Sequence, residues 1–422
     1  MNILHLNFSD RDGGAAIAAF RLNEGLNNRR VQSKILVVNK RSDCSMVQEI
    51  QQKKFLGRSA QNIDSLPLKF YPNRLGSTFS ISWFGSPVEN HPWVLEADIV
   101  NLHWVNRGLI SLRTLPRLKK PLVWTLHDQW AFTGGCHYAS NCTKYEKKCG
   151  SCPQLNSNHE YDLSRWVWNS KRKAYKGLSL NIVCISNWMK ACVERSSLLH
   201  NAQITVIPNA QITVIPNGLN TNIYKSVNKE EARRILNLPK DEPLILFGAM
   251  SATSDPRKGF VFLEKAFEKL RSSGIGKRYQ LVIFGSYSSQ KAESLPFKTH
   301  YIGRLRDDVS LVLAYNAADV FVCPSIEDNL PNTVLEALSC GTPVVAFNVG
   351  GIPDMVTHME NGYLATPKDV EDLANGIQWV LENEEQRKKL SYNARKKIEN
   401  EFTLELQSER YKRLYQEILQ KK

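Results

Sequence analysis

The chain predicts two doubly wound α/β domains in tandem, on three observations. Its 422 residues exceed what one ordinary hydrophobic core organises, so two domains of roughly 200 residues are the natural partition. Each half opens on an apolar strand, a glycine-bearing turn and a helix: NILHLNF, SDRDGG and AAIAAFRLNEGL from residue 2, then PLILFGAM, SATSDPRKG and FVFLEKAFEKL from residue 243. Short Val/Ile/Leu-rich runs alternate with helical periods throughout. Continuous apolar strands separated by helices indicate parallel sheets covered on both faces.

Strands are expected at 2–8, 97–105, 121–128, 180–186, 243–250, 279–285, 318–325 and 342–348. The run from Glu384 onward contains neither glycine nor proline and reads as helix to the end, with Phe402, Leu406, Tyr411, Leu414 and Ile418 as an apolar stripe. The expected domains are 1–217 and 218–400, with 401–422 as a C-terminal helix packing back on the first.

Composition narrows the class. With 42% apolar and 23% charged residues the chain is of ordinary globular make-up. No apolar run approaches the roughly 18 residues a membrane span needs. MNILHLNFSD reads as a first strand and not as an export signal, so a cytoplasmic location is expected. A net charge of +14 favours an anionic partner, whether nucleotide phosphates, nucleic acid or an acidic membrane surface; a merely basic, soluble surface is the alternative. The segment RWVWNSKRKAYKG (165–177) suits either a membrane-surface helix or a solvated helix with its aromatics turned to the core.

Nine cysteines with no export signal imply a reducing compartment. Cys44, Cys184, Cys192, Cys323 and Cys340 stand in apolar surroundings as small core residues. Cys136, Cys142, Cys149 and Cys152 cluster within GGCHYASNCTKYEKKCGSCPQ, in a loop over 134–154. The closing C-x-x-C is half of a zinc knuckle, and four thiolates would complete a closed structural site with no position for substrate. Paired disulfides and free thiols are the other readings.

The densest functional signal is PSIEDNLPNTVLEALSCGTPVVAFNVGGIPD, residues 324–354. A strand ends at Pro324, a polar loop follows, and a helix runs from about Asn332 to Cys340, ended by Gly341. The helix start, near Asn332 and Thr333, offers free N–H groups and a positive dipole end to a phosphate. Thr333-x-x-Glu336 also fits a capping box, which would make Glu336 a helix-start signal only. Asp328 has a parallel reading as a loop-forming residue.

This stretch resembles the donor-site signature of glycosyltransferase family 4, retaining enzymes of the GT-B fold. The resemblance implies two Rossmann-like domains facing across a cleft. It places the signature's second carboxylate at Glu336, followed in register by Gly341-Thr342-Pro343-Val344-Val345, and the first at Asp328, where the family usually has glutamate. It also assigns Lys258, in RKG at 257–259, to the donor diphosphate. Ala249 stands where a partner arginine is usual, and Arg257 is the candidate replacement, a fork of donors suited to phosphate. Gly13-Gly14 resembles the loop that approaches the donor phosphates, although any tight turn would use such a pair. His127, at a strand end, matches the histidine that contacts the reacting sugar, while Asp128 would orient it or meet an acceptor hydroxyl. His103 is a weaker candidate, and a hydrogen-bonded structural histidine is the ordinary reading of either. VIPNGLNTNIY (214–224) resembles the interdomain segment. The wording TLHDQW-FTGGCHY…C…CGSCPQL resembles the colanic acid and exopolysaccharide glycosyltransferase subgroup.

The resemblance implies retaining, metal-independent transfer of a sugar from a UDP- or GDP-sugar to a saccharide or lipid-linked acceptor in bacterial exopolysaccharide, capsule or lipopolysaccharide synthesis. No cofactor is implied for catalysis. Contact with the inner face of the cytoplasmic membrane is expected, nucleic acid is not. The rival readings are a nucleic-acid-binding protein with a zinc-knuckle-like loop and a non-catalytic sugar-nucleotide-binding scaffold. A metal-dependent D-x-D site at Asp10-Arg11-Asp12 is discounted, because it follows the very first strand.

One feature stands apart. Asn201–Pro208 and Asn209–Pro216 are identical octapeptides, NAQITVIP twice. Only the second runs on into Asn217-Gly218, so the first reads as surplus, a replication slip, against a genuine extra hairpin. Two copies are too few for a repeat architecture.

Overall fold

The computed structural model describes residues 1–50, 63–199, 211–250, 252–272, 274, 279–285 and 298–421. The chain divides into two compact units, Met1–Pro216 with Gln407–Lys422, and Asn217–Leu406.

The first unit holds a seven-stranded sheet: β1 (Asn2–Leu6), β2 (Gln32–Val37), β3 (Val47–Glu49), β4 (Ile99–Leu102), β5 (Leu122–Leu126), β6 (Leu180–Cys184) and β7 (Gln211–Val214), in the order β3-β2-β1-β4-β5-β6-β7. Every pairing is parallel. The chain winds from β1 toward one edge and then crosses to β4 on the other side. The carboxyl ends of β1 and β4 therefore mark the switch point where doubly wound sheets bind ligands. β4 and β5 are buried along their whole length, as strands covered on both faces must be.

The second unit repeats the plan with six strands: β8 (Leu244–Gly248), β9 (Gln280–Phe284), β10 (Thr299–Tyr301), β11 (Val320–Cys323), β12 (Val344–Phe347) and β13 (Gly362–Ala365). Their order is β10-β9-β8-β11-β12-β13, again all parallel, with its switch point between β8 and β11. The expected fold class, two Rossmann-like parallel-sheet domains, is what the chain forms.

Two element expectations change. The run from Glu384 is two helices, Glu384–Glu401 and Leu404–Gln420. They part because Leu219 takes the backbone between them: its N–H donates to Phe402 O and its carbonyl accepts from Leu404 N–H, both at 2.9 Å. The capping box at Thr333 is also overturned. The helix Asn332–Ser339 has Pro331 at its N-cap and no side-chain cap bond, so Thr333 already lies inside it.

The doubled octapeptide resolves in part. β7 comes from the second copy and pairs with β6 from Asn181↔Gln211 to Cys184↔Val214. The first copy lies outside the described residues. No described helix is long and apolar enough to cross a membrane.

Candidate functional site

In the second unit the site forms at the β8/β11 switch point. After β8 the chain makes a short turn, Pro256–Lys258, whose N-cap Asp255 accepts from Arg257 N–H. Gly259 closes the turn at φ +70, and a Cβ there would sit 1.8 Å from Pro324 O. Only glycine allows this turn to press against the loop after β11. A backbone bond from Ile326 N–H to Arg257 O, 2.9 Å, ties the two loops. On the other side Gly350, at φ +57, packs against Asp328 O, which a Cβ would approach to 1.7 Å.

This packing brings Lys258 onto Asp328, with Nζ 2.6 Å from Oδ2. Burial works against the ammonium, but the Asp328 charge and hydrogen bond outweigh it, and the Lys258 pKa is raised. Two residues assigned separate tasks from the sequence thus form one ion pair. Arg257 is half-buried and pairs with Asp255 at 2.7 Å. The start of the helix Asn332–Ser339 follows on the same loop; Asn332 Oδ1 accepts from Asn217 Nδ2 at 3.3 Å, and Thr333 is half-buried. Glu336 is buried, with Oε2 accepting from the Tyr315 hydroxyl at 2.8 Å. Burial, and then the Glu336 charge, push the Tyr315 pKa well up, so the phenol stays a donor. Tyr315 escaped sequence reading, since a tyrosine 21 positions away carries no local pattern.

In the first unit Gly13, at φ +99, is the N-cap of the helix Gly14–Asn28, just beyond β1. His103 follows β4, and His127 and Asp128 follow β5. Asp128 belongs to a separate cluster: Oδ2 meets His137 Nδ1 at 2.6 Å and accepts from Trp104 Nε1 at 2.9 Å, while Oδ1 accepts from Trp130 N–H at 2.9 Å. Burial pushes the Asp128 pKa up. The attraction of His137 and these hydrogen bonds outweigh it and hold the carboxyl below its ordinary range. Asp128 is thus occupied in shaping its loop. His127 turns instead to His103, Nε2 to Nδ1 at 2.9 Å, and His103 Nε2 meets His5 Nδ1 at 2.8 Å. Burial lowers the His127 pKa to about 4 against the opposing Asp128 charge.

The basic aromatic helix spans Leu163–Tyr175. Trp168, Tyr175 and, against expectation, Lys171 are fully buried, whereas Trp166 is 45% exposed. Lys171 Nζ donates to the carbonyls of Trp130 and Thr133 and lies 3.7 Å from the centroid of the Trp130 ring. It thereby braces the loop after Asp128, and burial lowers its pKa to about 7. In that loop Cys136, Cys149 and Cys152 are buried and Cys142 half-buried. Burial pushes Cys149 up to about 12 against the Gly134 N–H that donates to its sulfur at 3.1 Å. Among the described residues no three Cys, His, Asp or Glu side chains are grouped to hold a metal ion. Of the scattered cysteines, Cys184, Cys192, Cys323 and Cys340 are buried and Cys44 is half-buried.

Two Rossmann-like units, one with a lysine, a buried glutamate and a helix start gathered at its switch point, make two-domain glycosyltransferases the class to compare. The family model Glycosyltransferase Family 4 matches residues 12–223 and Glycosyl transferases group 1 matches 228–397. The chain belongs to glycosyltransferase family 4. It is 25% identical over 267 residues to the putative colanic acid biosynthesis glycosyl transferase WcaC of Escherichia coli, a match covering 60% of each chain. The chain spans 20% to 60% of the length of the curated relatives it matches. In fold it is similar to sucrose-phosphate synthase from Thermosynechococcus elongatus, with a TM-score of 0.70, 20% identity and 100% of both chains covered. It is likewise similar to Anabaena HepE in complex with UDP and glucose, with a TM-score of 0.63, 16% identity, and 98% of this chain and 99% of that one covered.

Proposed function

We propose that the chain transfers a sugar, with retention, from a UDP- or GDP-sugar to a saccharide or lipid-linked saccharide acceptor in the making of a bacterial surface polysaccharide. The observation that carries this reading is the Lys258–Asp328 pair at the β8/β11 switch point beside the start of the helix Asn332–Ser339. An ammonium has three N–H donors, and Asp328 takes one. The others suit diphosphate oxygens, with Arg257 and the helix start adding positive potential. Glu336, oriented by Tyr315, accepts from the ribose hydroxyls. Gly13 and Gly14 let backbone approach the donor phosphates, and Asp328 and His127 position the sugar. The acceptor oxygen attacks the anomeric carbon from the face the diphosphate leaves. The new glycosidic bond forms as the sugar–phosphate bond breaks, and the departing phosphate takes the acceptor proton. These fixed cations do the work a metal would do, so catalysis is expected to survive EDTA. WcaC and HepE support the setting and a UDP donor by likeness. We place the protein in the cytoplasm, on the inner membrane face.

The test is the melting temperature with UDP, GDP and ADP, with and without EDTA. Ligand binding to the folded state at about 100 times Kd adds roughly 2.7 kcal/mol. One nucleotide should raise the melting temperature in EDTA, and Lys258→Ala should weaken that nucleotide about tenfold or more. No shift with any nucleotide sinks the reading. A structural zinc on Cys136, Cys142, Cys149 and Cys152 is a separate proposal, resting on their spacing. One zinc per chain, with a melting temperature lowered by EDTA, supports it; metal-free protein indifferent to EDTA overturns it.

A further inference from the structure

Three histidines and a serine form a continuous file across four adjacent strands. Ser33 lies on β2, His5 on β1, His103 just beyond β4 and His127 just beyond β5. The Ser33 Oγ is 3.0 Å from His5 Nε2, His5 Nδ1 is 2.8 Å from His103 Nε2, and His103 Nδ1 is 2.9 Å from His127 Nε2. The ring centroids are 5.1 and 5.2 Å apart, close to the interstrand spacing of about 4.8 Å. The sheet itself thus sets the period at which imidazoles touch. His5, His103 and Ser33 are buried, and His127 is half-buried.

Each bond in the file carries one proton, and each neutral imidazole has one to give. The three rings must therefore all donate in the same direction. If they donate toward Ser33, His127 has its proton on Nε2. If they donate away from Ser33, His127 has it on Nδ1. Ser33 decides between the two. Among the described residues its hydroxyl bonds only to His5, and it is 1% exposed. As an acceptor, Ser33 would leave its own proton orphaned in the core. As a donor it leaves only lone pairs unmatched, the lesser penalty. Burial disfavours an extra proton anywhere in the file, lowering His5 to about 3 and His103 well below its ordinary value.

We propose that His5 and His103 are positioning residues that, with Ser33, hold His127 as its Nδ1–H tautomer. Its ring edge away from His103 is then a hydrogen-bond donor and not a base. That this edge meets an oxygen of the donor sugar rests on the proposed function; the tautomer itself does not.

The experiment is a long-range proton–nitrogen correlation spectrum of the protein labelled with 15N-histidine, recorded near neutral pH. It separates the two neutral tautomers and the imidazolium, and each of the nine histidines is assigned by single substitution. His5, His103 and His127 should all appear as Nδ1–H, the form that free histidine disfavours. An Nε2–H or doubly protonated ring at any of the three overturns the proposal. In His103→Phe, His127 should revert to Nε2–H while His137 keeps its signals; an unmoved His127 also overturns it. Should that variant not fold, the wild-type spectrum decides alone. Neither readout uses turnover, so failure here and failure of the transferase reading are separable.

Discussion

At the scale of residues, the two candidate sites use opposite electrostatics. Lys258 and Asp328 share a charge pair that holds against burial, because their attraction and hydrogen bond exceed the cost of desolvating the ammonium. The histidine file stays neutral because desolvation outweighs the one opposing charge, Asp128 beside His127: His5 is lowered to about 3 and His127 to about 4. The sign follows directly. Below about pH 6.5 the unfolded chain protonates these histidines while the folded chain does not, so the unfolded state binds more protons and stability falls as pH falls. Each histidine contributes up to about 1.4 kcal/mol per pH unit over that window. Chemical denaturation between pH 7 and pH 4 should therefore show a steeper loss of stability for wild type than for His5→Phe. Equal slopes would mean that the file does not resist protonation.

At the scale of elements, the duplicated octapeptide poses a problem of register. Two identical copies compete for one position beside β6, and the copy that continues into Asn217 occupies it. Identical letters make the alternative pairing, eight residues earlier, locally equivalent. Continuity with the second unit distinguishes them, since using the first copy would leave eight more residues to be looped out before Asn217. Deleting Asn201–Pro208 should preserve β7 and leave the melting temperature within about 2 °C of wild type, the scale of a few tenths of a kcal/mol, with turnover equal or higher. A clear loss of turnover or stability would show that the first copy has a structural place.

At the scale of the molecule, the C-terminal helix belongs to the first unit although its sequence follows the second. Tyr411, Leu414, Tyr415 and Ile418 are buried with Ile3, Leu22, Leu26 and Val123. Tyr415 accepts from Asn101 at 2.8 Å, and the Tyr411 and Thr125 hydroxyls bond at 2.9 Å. Burying each such side chain contributes about 1.5–3 kcal/mol, and four of them rival the roughly 5–15 kcal/mol that hold a whole domain. Truncation before Leu404 should unfold the first unit and leave the second folded, which limited proteolysis with mass analysis would reveal. A truncated chain in which the first unit melts as in wild type would refute this dependence.

The sequence by itself determined the fold class, eight of the strands, a ninth (β7) as the short strand that each copy of the octapeptide spells, and the loops that bear the candidate residues. Apolar runs, glycines at forced backbone angles and a spaced motif are local signals, set by neighbours a few positions away. It missed β3, β10 and β13, short edge strands whose pattern is too brief to stand out, and β2, an inner strand whose opening residues Gln32, Ser33 and Lys34 are polar. Only the tertiary structure decided which candidates act together. It joined Lys258 to Asp328 and Tyr315 to Glu336, turned Asp128 toward His137, and buried Lys171. The helix break at Phe402–Thr403 likewise depends on Leu219. The physical reason is common to all of these: a buried charge or polar group is settled by whatever partner packing brings within about 3 Å, and in a parallel sheet that partner arrives from a strand tens of residues away.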